Sequence, residues 1–364
     1  MRFLLLANPE NRRVSLFQAA LASRGQPEAE VVSWADFIDD PRVLSRIADE
    51  PRLFRIDSSG ENDGVERRFL NSGFEQAREL GCTNISPDEL AQMAPSVGRI
   101  LCPRQAHLGF ERALTAVEGV LASKPRWRQL NPIADIRECF DKRVTSRRFG
   151  ELGIPIPQAI TGVQSLRELY AREWRSVFVK LSCGSSASCL GVLDRRSFHT
   201  TIEQASDGWF NNLRMRHVRE SERIEELVGF LFREGAHVEH SVPKARLDDA
   251  YFDCRVLCIT GEPKFIVVRQ NTYQVTNLHL GGWRGDLARL RERVAERDWE
   301  AAMRSCRRVA KCYGALHVGI DLMFEPDFVG HRVIEVNAFG DLLPNLVVDG
   351  LNVYETEIEE AVRR

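Results

Sequence analysis

Two sets of residues in this chain have types and spacing suited to chemistry. The first is Asp321, Glu335 and Asn337, in the stretches "HVGIDLMF" and "HRVIEVNA" on either side of the turn "EPDFVG". Strand side chains alternate between faces. Val318, Ile320, Leu322 and Phe324 share one apolar face, and Asp321 points the other way. Ile334 and Val336 are apolar, while Glu335 and Asn337 share the opposite face. A turn centred on Phe328 sets Asp321 directly across from Glu335. Like charges directly opposed in a sheet are destabilising, and a hard divalent cation converts that penalty into attraction. Two carboxylates and an amide oxygen suit Mg²⁺, which keeps several waters and takes phosphate oxygens as further ligands. The second set is "VFVKLSCGSSASCLGV", an apolar strand that carries Lys180 and runs into very small residues. Taken alone, Lys180 reads equally as an edge-strand lysine before a polar turn. Beside an Mg²⁺ site it reads as a point charge for phosphate, with small residues that let backbone N–H groups approach an anion. Neither GxGxxG nor GxxxxGK[ST] is present, which excludes the dinucleotide turn and the P-loop.

The elements that must hold these residues are legible as a series. "RFLLLA" reads as a buried strand, "RRVSLFQAALASRG" as a helix stopped by Gly25, and "AEVVSW" as a second strand. This is the opening of a doubly wound α/β unit. "RLFRIDSSGEN" adds a strand whose carboxyl end presents Arg55, Asp57, Ser58 and Ser59, where such units meet ligands. A Pro-containing passage near residues 125–135 marks a boundary. "ECFDKRVTSRRFGELG" reads as one helical stretch with an extended exit through "IPIPQ". "ESERIEELVGFLFREG" is an amphipathic helix. "AHVEHSV", "YFDCRVLCIT" and "PKFIVVRQN" are strands, the last two joined as a hairpin at Gly261. A long helix is expected from Asp286 to Tyr313, its arginines interleaved with acids on a solvated face.

Composition bounds the answer. The chain has 364 residues, 43% hydrophobic and 28% charged, with a net charge of -2. That is an ordinary globular composition, long enough for two or three packed units and without a chain-wide basic footprint for nucleic acid. The apolar run at Phe3–Ala7 is too short for a signal-peptide core, and no stretch approaches the roughly 20 apolar residues of a membrane span. Nine cysteines form no CxxC pair, which argues against a disulfide framework or a zinc knuckle. Reduced thiols in a cytoplasm are the simplest expectation.

Taken in order, the motifs resemble the ATP-grasp superfamily, closest to the branch of ribosomal-protein-S6 glutamate ligases (RimK-like) and related carboxylate–amine ligases. The resemblance covers about residues 125–350. It implies an N-terminal doubly wound α/β lobe over 1–128, and the two α+β lobes of an ATP-grasp fold over 129–238 and 239–364. "NPIADIRECFDKRVTSRRFGELGIPIPQ" resembles the family's opening segment, which makes Lys142 the first ATP-contacting lysine. "VFVKLSCGSSASCLGV" resembles the strand of the second lysine and its lid, implying Lys180, Gly184, Ser185, Ser186 and Gly191. "HVEHSVPKAR" resembles the strand that holds adenine through its backbone, implying Glu239, Ser241 and Val242, with Lys244 or Arg246 near ribose or phosphate. "DCRVLCITGEPKFIVVRQNTYQVTNLHLGG" resembles the paired strands that carry Arg255 and Arg269 and end in a turn with Asn277 and His279; Arg284 follows. Three positions depart from the resembled patterns. Val275 stands for an arginine, Phe339-Gly340-Asp341 for Ser-Pro-Gly, and Gly319 for the arginine of D-alanine ligases. Asp341 becomes a candidate outer carboxylate of the metal site.

The resemblance implies ATP with Mg²⁺, or Mn²⁺ in its place, and a small-molecule or peptide carboxylate and amine as substrates. It implies no nucleic-acid or membrane partner; dimers are common among such enzymes. A carboxylate attacks the γ-phosphorus, and an amine displaces phosphate from the acyl phosphate. Arg269 stabilises the transferring group, with Arg255 and Lys180 beside it. Two other readings share the ATP half: a kinase on the same scaffold, and a non-catalytic nucleotide switch.

Overall fold

The structure is a computed structural model that describes residues 2–184, 189–340, 343 and 345–364, with Leu213 and His279 described in their backbone only. Three large sheets organise the described residues, beside a two-stranded pair at Val347–Val348 and Leu351–Asn352. The first is parallel, in the order Glu30–Ser33, Arg2–Ala7, Arg52–Ile56, Trp127–Gln129. Phe3 to Ala7 are all buried, as a parallel strand covered on both faces requires. Helix Arg12–Ser23 covers one face. Asn11 caps it by accepting from the Arg13 amide, and Val14, Phe17 and Leu21 are its buried stripe. The last helix of the chain, Val353–Arg363, packs on Arg12–Ser23 and buries Tyr354, Ile358 and Ala361 with Phe3, Leu5 and Phe17, while its Val353 packs with Leu257 and Val267.

The second sheet is antiparallel, in the order Ala236–His240, Ser176–Leu181, Leu190–Asp194, Phe198–Ala205, Gly208–Val218, Arg99–Ile100. Its apolar face, including Val177, Val179, Leu193 and Phe198, packs on helix Ser221–Arg233. The sequence reading places no strands at Leu190–Asp194, Phe198–Ala205 or Gly208–Val218. The last two are polar, and the inner face of Phe198–Ala205 is partly built from hydroxyls: Thr200 is fully buried and donates to the Leu190 carbonyl at 2.7 Å. Strand Arg99–Ile100 comes from the N-terminal third of the chain, so that third also supplies an edge to this sheet.

The third sheet runs Trp283–Arg284, Glu262–Asn271, Ala250–Ile259, His317–Phe324, His331–Asn337, with Arg246–Leu247 paired beside Ala250–Ile259. The hairpin expected at Gly261 forms, with Thr260 at φ 53 and Gly261 at φ 84 as its two turn residues. One face of the sheet carries Phe252, Cys254, Val256, Ile320 and Leu322 against Trp299, Ala302, Cys306 and Val309. Two expected helices are each broken in two. The helix expected from Asp286 to Tyr313 is Leu287–Arg293 followed by Glu296–Ala310, with Val294 and Ala295 extended between them. The change of direction lets Leu290, Val294 and Trp299 all reach the core. The helical stretch around residue 140 is Ile133–Phe140 and Lys142–Glu151; Asp141 is extended and accepts from the amides of Arg143 and Val144. Among the described residues no helix is long and apolar enough to cross a membrane.

Candidate active site between two sheets

The polar faces of the second and third sheets each contribute cations and carboxylates. On the second sheet, Lys180 pairs directly with His237, and Glu239 with Phe178, so Lys180, His237 and Glu239 share a face. The Lys180 ammonium lies 2.7 Å from Glu239 Oε1, and His237 Nε2 lies 3.2 Å from Oε2. All three are buried. Burial opposes the charge on Lys180, but Glu239, Glu335 and Asp321 outweigh it and raise its pKa. Burial likewise opposes the Glu239 carboxylate. Lys180 and His237 outweigh it and hold the group down at about 2.

On the third sheet, Asp321 sits opposite Glu335 and, on its other side, opposite Arg255. The facing of the two carboxylates is thus as the alternation predicts. A one-residue bulge follows between Asp321 and Leu322, and Phe328 takes the left-handed turn conformation at φ 57. The predicted repulsion, however, is relieved without a metal. Asp321 accepts from Arg255 Nε at 2.5 Å and lies 3.1 Å from the Arg269 guanidinium. Burial would raise its pKa; the two arginines hold it at about 2. Glu335 lies 3.2 Å from the Lys142 ammonium. Lys142 begins the helix that Asp141 caps, its amide donates to the Ser182 carbonyl, and its side chain donates to the Gly184 carbonyl at 2.6 Å. One lysine therefore joins the lid strand to the acidic hairpin.

The donor set fits a hard cation. Asn337 lies opposite Gly319, and its Nδ2 donates to the Gly319 carbonyl at 3.4 Å, which leaves Oδ1 as an acceptor beside Glu335. A Cβ at position 319 would come 3.2 Å from the Gly340 carbonyl oxygen, so glycine there eases the close approach of that backbone. Among the described residues no group of three or more His, Cys, Asp or Glu is placed to hold a metal; the set here is two carboxylates and an amide.

The remaining expected residues fall as follows. Gly184 receives Lys142, and Gly191 allows its strand to lie on Phe198, whose ring a Cβ would meet at 2.3 Å. The Ser241 amide donates to Ser176, and Val242 follows in the linker between the two sheets. Lys244 was expected near ribose or phosphate. It is bound to Asp253 at 3.4 Å, the Gln274 carbonyl at 2.9 Å and Thr276 at 3.1 Å. Arg246 is exposed and stacks 4.2 Å over the Tyr251 ring, outside the ion-pair network. Asn277 lies half-buried in the loop after Gln270, and Arg284 pairs with Arg269 on the edge strand. Arg55 and Asp57 are interior: Arg55 binds Glu357 of the last helix at 2.5 Å, and Asp57 lies 3.7 Å from it. Ser58 and Ser59 are half-buried in the turn that follows. Ser185, Ser186 and Asp341, and the side chain of His279, lie outside the described residues. Sequence reasoning missed Asp253, Thr276, His237 and the carboxylate role of Glu239. Asp253 was within reach, since it shares the face of Arg255 two residues on.

No protein-family model and no curated protein sequence matches the chain. Solved structures do. D-cycloserine synthetase DcsG aligns over 100% of this chain and 99% of its own at 17% identity and a TM-score of 0.56. The macrocyclase MdnC from Microcystis aeruginosa MRC, bound with precursor peptide MdnA, aligns over 100% of both chains at 14% and 0.57. The ATP-grasp ligase PsnB, complexed with a phosphomimetic variant of its minimal precursor, Mg and ADP, aligns over 100% of this chain and 98% of its own at 12% and 0.53. Such likeness, over whole chains, defines the fold: this protein has the fold of the ATP-grasp ligases.

Proposed function

We propose that the protein is an ATP-dependent carboxylate–amine ligase that forms an amide through an acyl phosphate and releases ADP and phosphate. The observation that carries this reading is the cluster of ion pairs where the second and third sheets meet. Lys142 and Lys180 approach from one side, Arg255 and Arg269 from the other, and all of them converge on Asp321 and Glu335. Lys142 and Lys180 bind the phosphates. Arg269 stabilises the phosphoryl group in transfer and then the oxyanion on the acyl carbon. Asp321, Glu335 and Asn337 would hold Mg²⁺, which, when bound, supplies positive charge against the phosphate oxygens. In the first step a substrate carboxylate oxygen bonds to the γ-phosphorus and ADP departs. In the second the amine nitrogen bonds to the acyl carbon, loses a proton, and phosphate departs. No side-chain nucleophile is required, and burial pushes the thiols of Cys254, Cys258 and Cys306 well up. The S6-ligase-like branch, a cytoplasmic location, a homodimer and three units at 1–128, 129–238 and 239–364 belong to the same proposal.

The reading is supported by neighbours of the same fold that act on small molecules or precursor peptides. Its test is incubation with ATP, Mg²⁺, hydroxylamine and a panel of amino acids and peptides. A hydroxamate formed only with ATP supports ligation through an acyl phosphate. A phosphorylated product that hydroxylamine does not trap points to a kinase.

A further inference from the structure

We propose that Asp253 is a positioning residue that aims Arg269 at the phosphoryl group in transfer, through a buried junction with Thr276 and Lys244. The inference rests on the ligase reading. Asp253 and Arg269 are direct partners across strands Ala250–Ile259 and Glu262–Asn271, and both are buried. Asp253 Oδ1 accepts from Arg269 Nε at 2.7 Å, while the far end of the same guanidinium reaches Asp321 Oδ1 at 3.1 Å. The planar fork is thereby pinned at both ends by carboxylates from different strands, which fixes its direction rather than only its charge. The second oxygen of Asp253 is also committed. It accepts from the Thr276 hydroxyl and lies 3.4 Å from the Lys244 ammonium.

Lys244 in turn has a partner for each of its three N–H donors: Asp253, the Gln274 carbonyl and Thr276. Its ammonium is satisfied within the protein and so supports the junction. Lys244 belongs to the linker between the two sheets, and Gln274 and Thr276 to the loop that follows the Arg269 strand. A single carboxylate thus ties the linker, that loop and the arginine together. Donors aimed in advance at developing charge are most effective when their own supports are rigid, and Asp253 supplies that support.

The test needs no knowledge of the carboxylate substrate. Affinity is measured for MgADP alone and for MgADP with aluminium fluoride, a mimic of the phosphoryl group in flight, in the parent, Asp253→Asn and Thr276→Val. A residue that acts by aiming Arg269 leaves MgADP affinity within about twofold, and cuts the gain from aluminium fluoride by about tenfold or more in Asp253→Asn. Thr276→Val, which removes one of the donors to Asp253, shows a smaller loss of the same kind, and it decides the question if Asp253→Asn does not fold. Retention of the full gain, or equal loss of both complexes, overturns the proposal. A parent that binds MgADP but gains nothing from aluminium fluoride, or that binds no nucleotide, overturns the ligase reading and this inference with it.

Discussion

Replacing Glu239 by glutamine tests the electrostatics of the cluster most directly. The carboxylate is buried, lies 2.7 Å from the Lys180 ammonium and is held at about 2 against an ordinary value of 4.5. A depression of that size corresponds to about 3 kcal/mol of stability at neutral pH. Removing one partner of a buried pair costs about the same, because an uncompensated charge is left behind. Glu239→Gln should therefore lower the unfolding free energy by about 3 kcal/mol at pH 7, read by urea titration. The sign with pH follows from proton counting. As pH falls through 4.5 the unfolded carboxylate takes a proton that the folded one refuses until about pH 2. The contribution is full above pH 4.5 and lost on the way down to 2. By pH 4 roughly 0.8 kcal/mol of it is gone, so the gap between parent and variant narrows by that amount. Lys180 remains in place, so Mg-ATP should still bind the variant. A gap below about 1 kcal/mol that does not change between pH 7 and 4 would refute the reasoning.

Three further outcomes follow from the same cluster. Lys180→Ala should weaken ATP binding about tenfold or more in calorimetry, since a cation facing phosphate is lost; unchanged affinity would make Lys180 a partner of Glu239 alone. Glu335→Gln should abolish the Mg²⁺-dependent gain in ATP affinity, yet change metal-free stability by only about 0–1 kcal/mol, because it gives up a partly exposed pair with Lys142 rather than a bare repulsion. A variant that keeps the full Mg²⁺ effect would place the metal elsewhere. Arg246→Ala should leave nucleotide affinity unchanged, because its guanidinium rests on Tyr251 outside the network; a tenfold loss would return Arg246 to the phosphate site.

Local patterning determined much of this protein. The alternation in "HVGIDLMF" and in "EVN" sets Asp321 and Glu335 on one face, whereas the bulge at Ile334, which leaves Val333 and Val336 both buried, breaks the alternation and was not legible. The helix after "RFLLLA" and the hairpin at Gly261 were legible for similar reasons: a stripe at helical spacing and a glycine free to take positive φ at the turn. The polar strands Phe198–Ala205 and Gly208–Val218 were not legible, because their burial depends on partners far along the chain and not on apolar runs of their own. The breaks at Asp141 and Val294 escaped for the same reason, since periodicity continues across a bend when both halves meet one core. Above all, pairing between charges is a long-range property. The sequence supplies Lys142, Lys180, Arg255 and Arg269, and it supplies Asp253, Glu239, Asp321 and Glu335. Only the pairing of distant strands within each sheet, and the docking of helix Lys142–Glu151 beside the third, decides which cation neutralises which carboxylate. It sends Lys180 to Glu239, Lys142 to Glu335, Arg255 to Asp321, and Arg269 to both Asp253 and Asp321. Packing also sends Lys244 inward to Asp253 and the last helix back to the first, because a charge or an apolar face settles against whichever partner the tertiary fold brings within reach.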